Sequence, residues 1–339
     1  MSKKLNIGII GLGLIGLKRI ESFLDCKKSN LLIVCDSDKK KAIEVSKKFN
    51  CLHTTSWIDI VEDASIDIII VSTPNYLLFP ISKKALTNNK HTLIEKPMGC
   101  NLKEAEEISH IAKKTKSVFK VGFNHRYHPA IIDAYKLFKK GTIGKIINIR
   151  ANYGHGGRPG YEKEWRGKKT LSGGGELTDQ GVHLTDLINL FCGKPCEAFC
   201  LTQTAIWPIK PLEDNAFSLF NFKDNTVASF HTSWTQWKNN FTFEIFGEYG
   251  SLSIRGLGGS YGLESLTKYI RRKKGGMPFK HKKIYEGSDL SWKREWIDFI
   301  NACNGSRSDI FSSENEGLVS MIMLDALYRS NKKKSLVKL

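Results

Sequence analysis

The first third of the chain alternates short apolar runs with segments in which apolar residues recur at helical spacing. The run at residues 66–71 is nearly all Ile and Val, as expected for a strand buried on both faces of a parallel sheet. This alternation predicts a doubly wound α/β domain over residues 1–123. The predicted strands are residues 5–10, 31–35, a fragment at 57–61, 66–71, 91–95 and 118–121. The predicted helices are residues 15–24, a lysine-rich segment after residue 36, 77–88 and 104–116.

The pattern changes after Gly122, where consecutive strand-like runs follow one another with turn residues between them. Such an order predicts an α+β domain with a mostly antiparallel sheet over residues 124–339. A glycine-rich, aromatic loop at residues 154–175 interrupts it. The predicted strands are residues 145–153, 198–205, 216–222, 227–234, 241–246 and 251–254. The predicted helices are residues 129–140, 176–191, 291–303 and 313–329.

Length and composition agree with two globular domains. The chain has 339 residues, of which 41% are hydrophobic and 25% charged. No stretch reaches the roughly 18 consecutive apolar residues of a membrane span, and the first residues lack the pattern of a signal peptide. We therefore expect a cytoplasmic protein without a membrane partner.

The eight cysteines are expected to be reduced thiols in such a protein. Cys192, Cys196 and Cys200 suggest a metal site by their spacing. Residues 193–195, with the sequence Gly-Lys-Pro, break any helix that would align these three side chains, and the chain contains no CxxC pair. We expect no metal.

The formal net charge of +18 raises the question of a nucleic-acid partner. Dense basic runs occur only at residues 271–274 and 332–334, and neither is interleaved with aromatic residues that could stack on bases. The other lysines are scattered along predicted helices, as on solvated surfaces. We expect no nucleic acid, with steering of an anionic substrate as the alternative use of the charge.

A glycine motif lies directly between the first predicted strand and the first predicted helix, at residues 11–16 with the sequence GLGLIG. In a dinucleotide-binding fold Gly11 makes the tight turn, Gly13 lets the backbone approach a pyrophosphate, and Gly16 lets the helix pack on the strand. The free N–H groups at the helix start then face the anion, so Leu14 and Ile15 are also expected to contact it. A glycine-rich turn without a ligand is the alternative.

Asp36 ends the second predicted strand, 20 residues after Gly16. A carboxylate there accepts hydrogen bonds from the adenosine ribose and repels a 2′-phosphate. The next two positions are Ser37 and Asp38, so no arginine follows that could bind such a phosphate. NAD is therefore expected rather than NADP. An aspartate that caps the next helix is the alternative.

Glu95, Lys96 and Pro97 follow the fifth predicted strand, at the edge where doubly wound sheets bind ligands. A lysine there can donate to a substrate oxygen. By itself, however, the tripeptide is equally typical of an exposed lysine.

Asp179 and His183 are four residues apart on the predicted helix 176–191, and Asp186 is three further on. Their side chains therefore share one face, about 6 Å apart at Cβ. An imidazole can take a hydroxyl proton and a neighbouring carboxylate can orient it. The spacing alone is equally typical of a surface pair.

Taken in order, these motifs resemble the Gfo/Idh/MocA family, named for glucose–fructose oxidoreductase and inositol dehydrogenase. The resemblance rests on GLGLIG, Asp36, Glu-Lys-Pro at 95–97, GFNHRYHP at 122–129, and Gly-Gly-Gly at 173–175 followed by Asp179 and His183. It implies an N-terminal Rossmann domain and a C-terminal α+β domain with an open, mostly antiparallel sheet. It further implies an active site between the domains and a homodimer or homotetramer formed through the exposed sheet face.

The resemblance also implies residue roles. Lys96, Asp179 and His183 are implied to be catalytic, with His183 as acid or base. Beyond the glycine motif and Asp36, the positions expected to contact the cofactor are Ser37, Thr73, Pro74, Asn75, Glu95, Lys96, Pro97, Arg126, Trp165 and Arg166. The loop positions expected to contact substrate, because specificity tends to lie in loops on a rigid scaffold, are Tyr153, His155, Arg158 and Tyr161.

The expected reaction is hydride transfer between NAD and a secondary alcohol or ketone of a sugar, nucleotide-sugar or cyclic polyol. Arg158 and Arg166 weakly favour an anionic substrate. Two alternatives remain within the family: a glycosidase that uses transient oxidation by NAD, and a non-catalytic NAD-binding regulator. Intact Lys96, Asp179 and His183 argue against the regulator.

Overall fold

The structure, a computed structural model, describes residues 4–339. Strands and helices alternate as far as residue 122, as the apolar pattern predicts. The elements are β1 (Leu5–Ile10), α1 (Leu14–Phe23), β2 (Ser29–Cys35), α2 (Lys39–Phe49), β3 (Leu52–Thr54), α3 (Trp57–Glu62), β4 (Ile68–Val71), α4 (Asn75–Thr87), β5 (His91–Glu95), α5 (Leu102–Lys114) and β6 (Phe119–Gly122).

These strands form a six-stranded sheet in the order β3-β2-β1-β4-β5-β6, and every pair in it is parallel. The order is that of a Rossmann domain, and it confirms the predicted fold class. All four residues of β4 are buried, because helices cover both faces of a doubly wound sheet. The carboxyl ends of β1, β2, β4 and β5 therefore lie along one edge of the sheet.

The prediction of residues 57–61 as the third strand is wrong. It forms the helix α3, which buries Ile60 and Val61, and the third strand is β3. Short apolar runs do not distinguish the two structures by periodicity. Leu52 at the start of β3 is 60% exposed, so this edge strand lacks an apolar pattern.

The remainder of the chain begins with a buried 3₁₀ turn at Asn124–Tyr127 and includes nine further strands in the described residues. The elements are α6 (Pro129–Lys139), β7 (Ile146–Gly154), α7 (Lys169–Ser172), α8 (Val182–Cys192), β8 (Glu197–Gln203), β9 (Asn215–Asn221), β10 (Val227–Ser233), β11 (Asn240–Gly247), β12 (Gly250–Arg255), β13 (Glu264–Ile270), β14 (Phe279–Tyr285), α9 (Ser291–Cys303), α10 (Glu314–Lys333) and β15 (Val337–Lys338).

The nine strands form one sheet in the order β14-β13-β12-β11-β7-β10-β9-β8-β15. Its neighbours pair antiparallel except β7 and β10, which pair parallel, so the mostly antiparallel sheet is confirmed. The sequence patterns missed β13, β14 and β15. Six of the seven residues of β14 are exposed, so alternation of apolar and polar positions could not mark it.

Contacts divide the chain into two compact units. The first comprises the chain up to Phe123 together with Trp292–Leu318, and the second comprises Asn124–Ser291 and Val319–Leu339. The sequence pattern predicts a second domain that comprises all of residues 124–339. Segment 292–318 joins the first unit because Trp296 and Phe299 of α9 are buried in the same hydrophobic core as β1. Within residues 4–339, no helix is long and apolar enough to cross a membrane.

Candidate active site

The loop between β1 and α1, here called the glycine loop (residues 11–16), is shaped by two glycines. Gly11 has a φ of +92°, and a Cβ there would lie 2.6 Å from the carbonyl oxygen of Ser72. A Cβ on Gly16 would collide with the carbonyl oxygen of Gly11. The Ser72 hydroxyl donates to that same Gly11 oxygen at 2.7 Å. The turn and the close approach of α1 thus require glycine at both positions.

Gly13 differs from both, because the fold itself does not need a glycine there. It precedes α1 with a φ of −64°, and a Cβ on it would meet no heavy atom of the described residues within 4 Å. As the N-cap of α1, Gly13 has no side chain that could cap the first turn. Open space beside Gly13 and uncapped N–H groups fit the pyrophosphate of a dinucleotide. The adjacent Leu14 is 74% exposed on the same turn.

Asp36 ties the end of β2 to the glycine loop. Its Oδ2 accepts a hydrogen bond from the Leu12 N–H at 2.8 Å, and its Oδ1 accepts one from the Asp38 N–H at 3.0 Å. The cap of α2 is Asp38, whose side chain accepts from the N–H groups of Lys40 and Lys41. Asp36 is therefore not the helix cap that was its alternative role, and its carboxylate lies against the loop that would hold the cofactor.

Residues 73–75 follow β4, the neighbour of β1 in the sheet. Pro74 directly precedes α4, and Asn75 is the first residue of that helix and is buried. The Thr73 hydroxyl is buried and has no hydrogen-bond partner among the described residues. All three positions thus lie at the sheet edge that carries the glycine loop.

Glu95, Lys96 and Pro97 follow β5 at the same edge. The Glu95 carboxylate accepts a hydrogen bond from the Arg19 guanidinium of α1 at 2.6 Å, and Arg19 also contacts Glu295 of α9 at 2.5 Å. Burial raises the pKa of Glu95, and the positive charge of Arg19 opposes this shift. Lys96 is half-buried, and its peptide bond to Pro97 is cis. The side chain of Glu95 therefore holds α1, and its expected cofactor contact stays a prediction.

In the second unit, the predicted helix 176–191 is divided into two kinds of helix. Residues Leu177–Gly181 form a π-helical turn, and α8 continues from Val182. Asp179 lies in the wider turn and His183 at the second position of α8. Periodicity could not predict this, because a π turn is defined by its backbone bonds; such turns occur frequently at functional sites.

His183 is buried, and its ring stacks on that of His125 with centroids 3.7 Å apart and planes inclined by 16°. His125 comes from the turn after Phe123, where its Nδ1 lies 3.2 Å from Oδ1 of Asn124. The Asn124 amide donates to the Ser291 hydroxyl at 3.1 Å. The imidazole plane of His183 is thus fixed by a second imidazole, itself held by neighbouring polar groups.

Two tyrosines complete what we call the histidine cluster (His125, Tyr153, His183 and Tyr261). The Tyr153 ring lies 5.2 Å from His125 and 6.2 Å from His183, and the Tyr261 ring lies 5.0 Å from Tyr153. Gln180 donates to the Tyr261 hydroxyl at 3.0 Å. Burial raises the pKa of Tyr153 well above its ordinary value and that of Tyr261 to about 12, so both hydroxyls are available as neutral hydrogen-bonding groups.

The loop before the glycine triplet contributes charged groups to the neighbourhood of Asp179. Arg166 Nε lies 3.4 Å from Asp179 Oδ2, and the Arg166 guanidinium covers the Trp165 ring at 4.5 Å. Arg158 makes two hydrogen bonds of 2.8 Å to Glu164. Both arginines are thus paired with carboxylates of this neighbourhood.

The other two loop positions are aromatic. Tyr161 lies beneath the Arg158 guanidinium at 5.1 Å, and burial raises its pKa to about 12. Burial lowers the pKa of His155, with the charges of Arg158 and Arg166 acting in the same direction and that of Asp179 opposing them. His155 is therefore a neutral imidazole near neutral pH.

Glu213 holds the end of the loop at residues 173–175 and the start of the helical segment that follows it. Its Oε1 accepts the N–H groups of Gly175 at 3.0 Å and Leu177 at 3.1 Å, and also the Tyr328 hydroxyl at 2.7 Å. Tyr328 further contacts the Thr178 hydroxyl at 2.8 Å. Burial raises the pKa of Glu213, and these hydrogen bonds oppose the shift. The segment that carries Asp179 is thus anchored at its start.

Arg126 is fully engaged within the second unit. Its guanidinium makes a two-point ion pair with Asp186 of α8, at 2.8 Å and 2.6 Å, and both side chains are buried. Asp186, expected on the stripe of Asp179 and His183, therefore binds the turn that carries His125. A cofactor contact of Arg126 stays a prediction.

Several of these groups have no role predicted from the sequence. His125 lies inside the quoted motif at 122–129, so a signal for it existed. No local pattern marks the others, which are Arg19, Ser72, Gln180, Glu213, Tyr261, Glu295 and Tyr328. In residues 4–339, no group of three or more His, Cys, Asp or Glu side chains is placed to hold a metal ion.

A Rossmann sheet with the glycine loop and Asp36 at its carboxyl edge defines an NAD-binding domain. Family models agree: one described as "Oxidoreductase family, NAD-binding Rossmann fold" matches residues 5–123, and one described as "GFO/IDH/MocA C-terminal domain" matches residues 131–253. The chain belongs to the Gfo/Idh/MocA family of NAD-binding oxidoreductases.

Individual relatives resemble this chain in sequence and in structure. Levoglucosan dehydrogenase from Pseudarthrobacter phenanthrenivorans is 26% identical over 290 residues, which cover 74% of this chain and 73% of the relative. The scyllo-inositol 2-dehydrogenase (NAD(+)) from Bacillus subtilis is 27% identical over 57% of this chain and 55% of its own. A solved levoglucosan dehydrogenase in complex with NADH and levoglucosan shares the fold, with a TM-score of 0.89 at 22% identity over 99% of each chain.

Proposed function

We propose that this protein transfers a hydride between NAD and a secondary alcohol or ketone of a sugar or cyclic polyol. One observation carries the proposal: the buried His183 imidazole, held face to face by His125, lies on the helical segment that also carries Asp179. The names of the two relatives, a levoglucosan dehydrogenase and a scyllo-inositol dehydrogenase, support the substrate class.

The proposed roles follow from the chemistry of each group. Bound NAD would supply the acceptor for the hydride that leaves the substrate carbon. His183 takes the hydroxyl proton, and Asp179 orients the reacting groups and stabilises the cation formed. Lys96 donates a hydrogen bond to the same substrate oxygen and stabilises its developing negative charge. These three residues are the catalytic residues of the proposal.

Cofactor contacts are proposed for the residues at the carboxyl edge of the Rossmann sheet and for three positions of the second unit. The residues of the edge are Gly11, Gly13, Leu14, Ile15, Gly16, Asp36, Ser37, Thr73, Pro74, Asn75, Glu95, Lys96 and Pro97. The positions of the second unit are Arg126, Trp165 and Arg166. Of these, the glycine loop and Asp36 have the geometry that best supports the assignment.

The substrate is proposed to contact Tyr153, His155, Arg158 and Tyr161 together with the catalytic residues. Arg158 is paired with Glu164, and Arg166 with Asp179, so neither arginine carries an uncompensated charge. This pairing favours a neutral sugar or polyol over a nucleotide-sugar, contrary to the weak preference of the sequence analysis.

The experiment is a cofactor-reduction screen. NADH formation is followed with anhydrosugars, hexoses, inositols, hexose phosphates and UDP-sugars, with the His183→Ala variant as the control for each active compound. We expect net NADH with at least one neutral sugar or polyol, formed at least about a hundredfold more slowly by the variant. Cleavage of a glycoside without net NADH would instead identify the glycosidase.

Cofactor preference is measured with the compound so found. Asp36 is proposed to face the ribose hydroxyls, so kcat/KM is expected to be larger with NAD than with NADP. A preference for NADP of about tenfold or more, about 1.4 kcal/mol in the opposite direction, would overturn this assignment.

A homodimer or homotetramer through the nine-stranded sheet is part of the proposal. On one face of that sheet, Leu201 is 44% exposed, Phe217 48% and Leu219 37%, and His231 stacks on Phe217. An apolar patch of this kind suits self-association across a symmetric interface. Light scattering is expected to show a dimer or tetramer for the wild type and smaller particles for Phe217→Glu with Leu219→Lys. A stable wild-type monomer at micromolar concentration would contradict it.

We also propose that the protein works in the cytoplasm. All eight cysteines lie in the described residues as free thiols. Burial raises the pKa of four of them, Cys35, Cys100, Cys192 and Cys303, to about 12. Such thiols suit a reducing compartment. Fractionation of cells that express the chain tests the location.

A further inference from the structure

A cavity of about 250 Å³ lies within the second unit, between α6 and the hairpin of β13 and β14. It shares no residue with the histidine cluster or with the loop at 154–175. Leu137 and Leu266 provide apolar wall. The remainder of its lining is dominated by amino groups, and this chemistry limits the kind of molecule that the cavity can bind.

The cations come from two elements that meet at the cavity. Helix α6 and the residue after it contribute Lys136 and Lys140, one turn apart on the same face. The hairpin contributes Lys268 and His281, which lie directly opposite each other across the two strands. Lys283 lies two residues further along β14, on the same face. Four lysines and a histidine therefore surround one space.

One carboxylate lines the cavity, and it is already engaged. Asp133 Oδ2 accepts hydrogen bonds from Lys283 Nζ and from the Tyr285 hydroxyl, each at 2.7 Å. Four lysines less one aspartate leave the lining with a net charge of +3 when the histidine is neutral. Among the ion pairs of residues 4–339, none includes Lys140 or Lys268.

This arrangement costs stability when nothing is bound. Lys136 and Lys140 are like charges four residues apart at the end of α6, and such a pair destabilises a helix. Lysines on an edge strand also protect it from pairing with other chains, which accounts for Lys280 and Lys282 on the other face of β14. Protection of the edge does not account for Lys136 and Lys140 at the end of α6. An anion between the two elements would convert the repulsion into attraction.

We propose that this cavity binds the phosphate group of a small phosphorylated molecule. Ammonium groups from two sides can each donate to phosphate oxygens, and lysine is an established phosphate-binding side chain. The volume accommodates a phosphate with a small organic group against Leu137 and Leu266. A recess lined from both sides suits a small ligand better than a polyanionic macromolecule, which would need an extended basic surface.

The test is isothermal titration calorimetry with glucose 6-phosphate, inorganic phosphate and pyrophosphate at constant ionic strength, with glucose and sulfate as reference ligands. The cavity variant is Lys136→Gln with Lys268→Gln. The matched control is Lys139→Gln with Lys282→Gln, which removes the same charge from the same helix and hairpin outside the cavity. Thermal unfolding of each variant checks the fold.

We expect saturable binding of glucose 6-phosphate, weakened about tenfold or more in the cavity variant and less than about twofold in the control. Tighter binding of glucose 6-phosphate than of inorganic phosphate would support a phosphorylated sugar, and equal binding would support recognition of the phosphate alone. Equal weakening in both variants, or binding of sulfate as tight as of phosphate, would show general attraction and overturn the proposal. Binding of DNA or of anionic vesicles in place of these small probes would also overturn it.

Discussion

The glycine loop and the histidine cluster are built in opposite ways. The glycine loop presents main chain, and its shape follows from missing side chains at Gly11 and Gly16. The histidine cluster is made of side chains that arrive from the 3₁₀ turn after Phe123, from β7, from α8 and from the loop before β13. A main-chain site can be encoded in six consecutive residues. A side-chain site depends on the tertiary fold to bring its parts together.

The two regions also differ in what supports them. Around the histidine cluster, buried polar groups bond one another, as Arg126 does with Asp186 and Glu213 with Tyr328. Removing one partner of such a pair takes a hydrogen bond from the other in a buried place, at a cost of about 1–3 kcal/mol. At Gly13, by contrast, an added Cβ would meet no atom of the described residues within 4 Å. Substitutions should therefore separate folding from function at the glycine loop more cleanly than at the cluster.

The largest effect is expected at His183. His183→Ala should lower kcat by roughly 10²–10⁴ with nearly unchanged NAD affinity, because the proton acceptor is lost while the glycine loop is intact. Steady-state kinetics and NAD titration measure the two quantities. His110→Ala, at an exposed position of α5, is the control and should be silent. Near-wild-type turnover of a folded His183→Ala protein would refute the mechanism and leave the NAD-binding argument standing.

A comparable loss of turnover is expected for Lys96→Ala, because the positive charge next to the reacting oxygen is withdrawn. Lys83→Ala, an exposed lysine of α4, serves as the matched control. The double variant Lys96→Ala with His183→Ala should lose less than the sum of the two single losses in free energy, since both groups act on one oxygen and one proton. Strict additivity would show that the two residues act on separate steps.

Much of the fold could be predicted because a strand buried on one face alternates apolar and polar residues, and a strand buried on both faces is a continuous apolar run. The five residues of β5 and the start of α6 were predicted at their observed bounds. β14 could not be predicted, because six of its residues are exposed and no apolar alternation marks them. The sequence did not predict that segment 292–318 belongs to the first unit, and the reason is different. Trp296 and Phe299 indicate a buried helix face, but not which core buries it.

The candidate site shows the same limit. Gly11 and Gly16 were identified with their structural reasons, since both reasons are local. Glu213 was missed, although it accepts three hydrogen bonds at the start of the segment that carries Asp179. A glutamate distant in sequence from its partners has no signature that one chain alone reveals. The π turn before α8 likewise could not be predicted from the spacing of apolar residues.

A smaller effect separates the two glycines that flank the first turn of α1. Gly13→Ala should leave the free energy of unfolding within about 0.5 kcal/mol of the wild type and weaken NAD binding about tenfold, because its Cβ enters only open space. Gly16→Ala should lower the free energy of unfolding by about 1–3 kcal/mol, because its Cβ meets the Gly11 carbonyl. Chemical denaturation and NAD titration of both variants test this. Equal destabilisation by both would contradict a loop kept open for a ligand.

The smallest effect is expected at Glu213, whose side chain accepts hydrogen bonds from the main chain of Gly175 and Leu177. Glu213→Gln keeps an oxygen for the three donors and should retain turnover, whereas Glu213→Ala should lower both turnover and stability, since Gly175 and Leu177 lose their acceptor. The pH dependence gives a sharper test. Burial raises the pKa of Glu213 above its value in the unfolded chain. Its contribution to stability is therefore complete below the unfolded pKa and is lost as the pH rises through the folded pKa.

Glutamine does not titrate, so the wild type should lose stability relative to Glu213→Gln as the pH rises from the unfolded pKa of Glu213 through its raised folded pKa. Thermal unfolding of the two proteins at each pH measures the difference, in which other titrating groups cancel. A difference that stays constant over this range would mean that the three donors already hold Glu213 ionised. The carboxylate would then act as a fixed negative charge at the start of the helical segment, where it stabilises the helix dipole, and the loop at 173–175 would be anchored by charge rather than by shape.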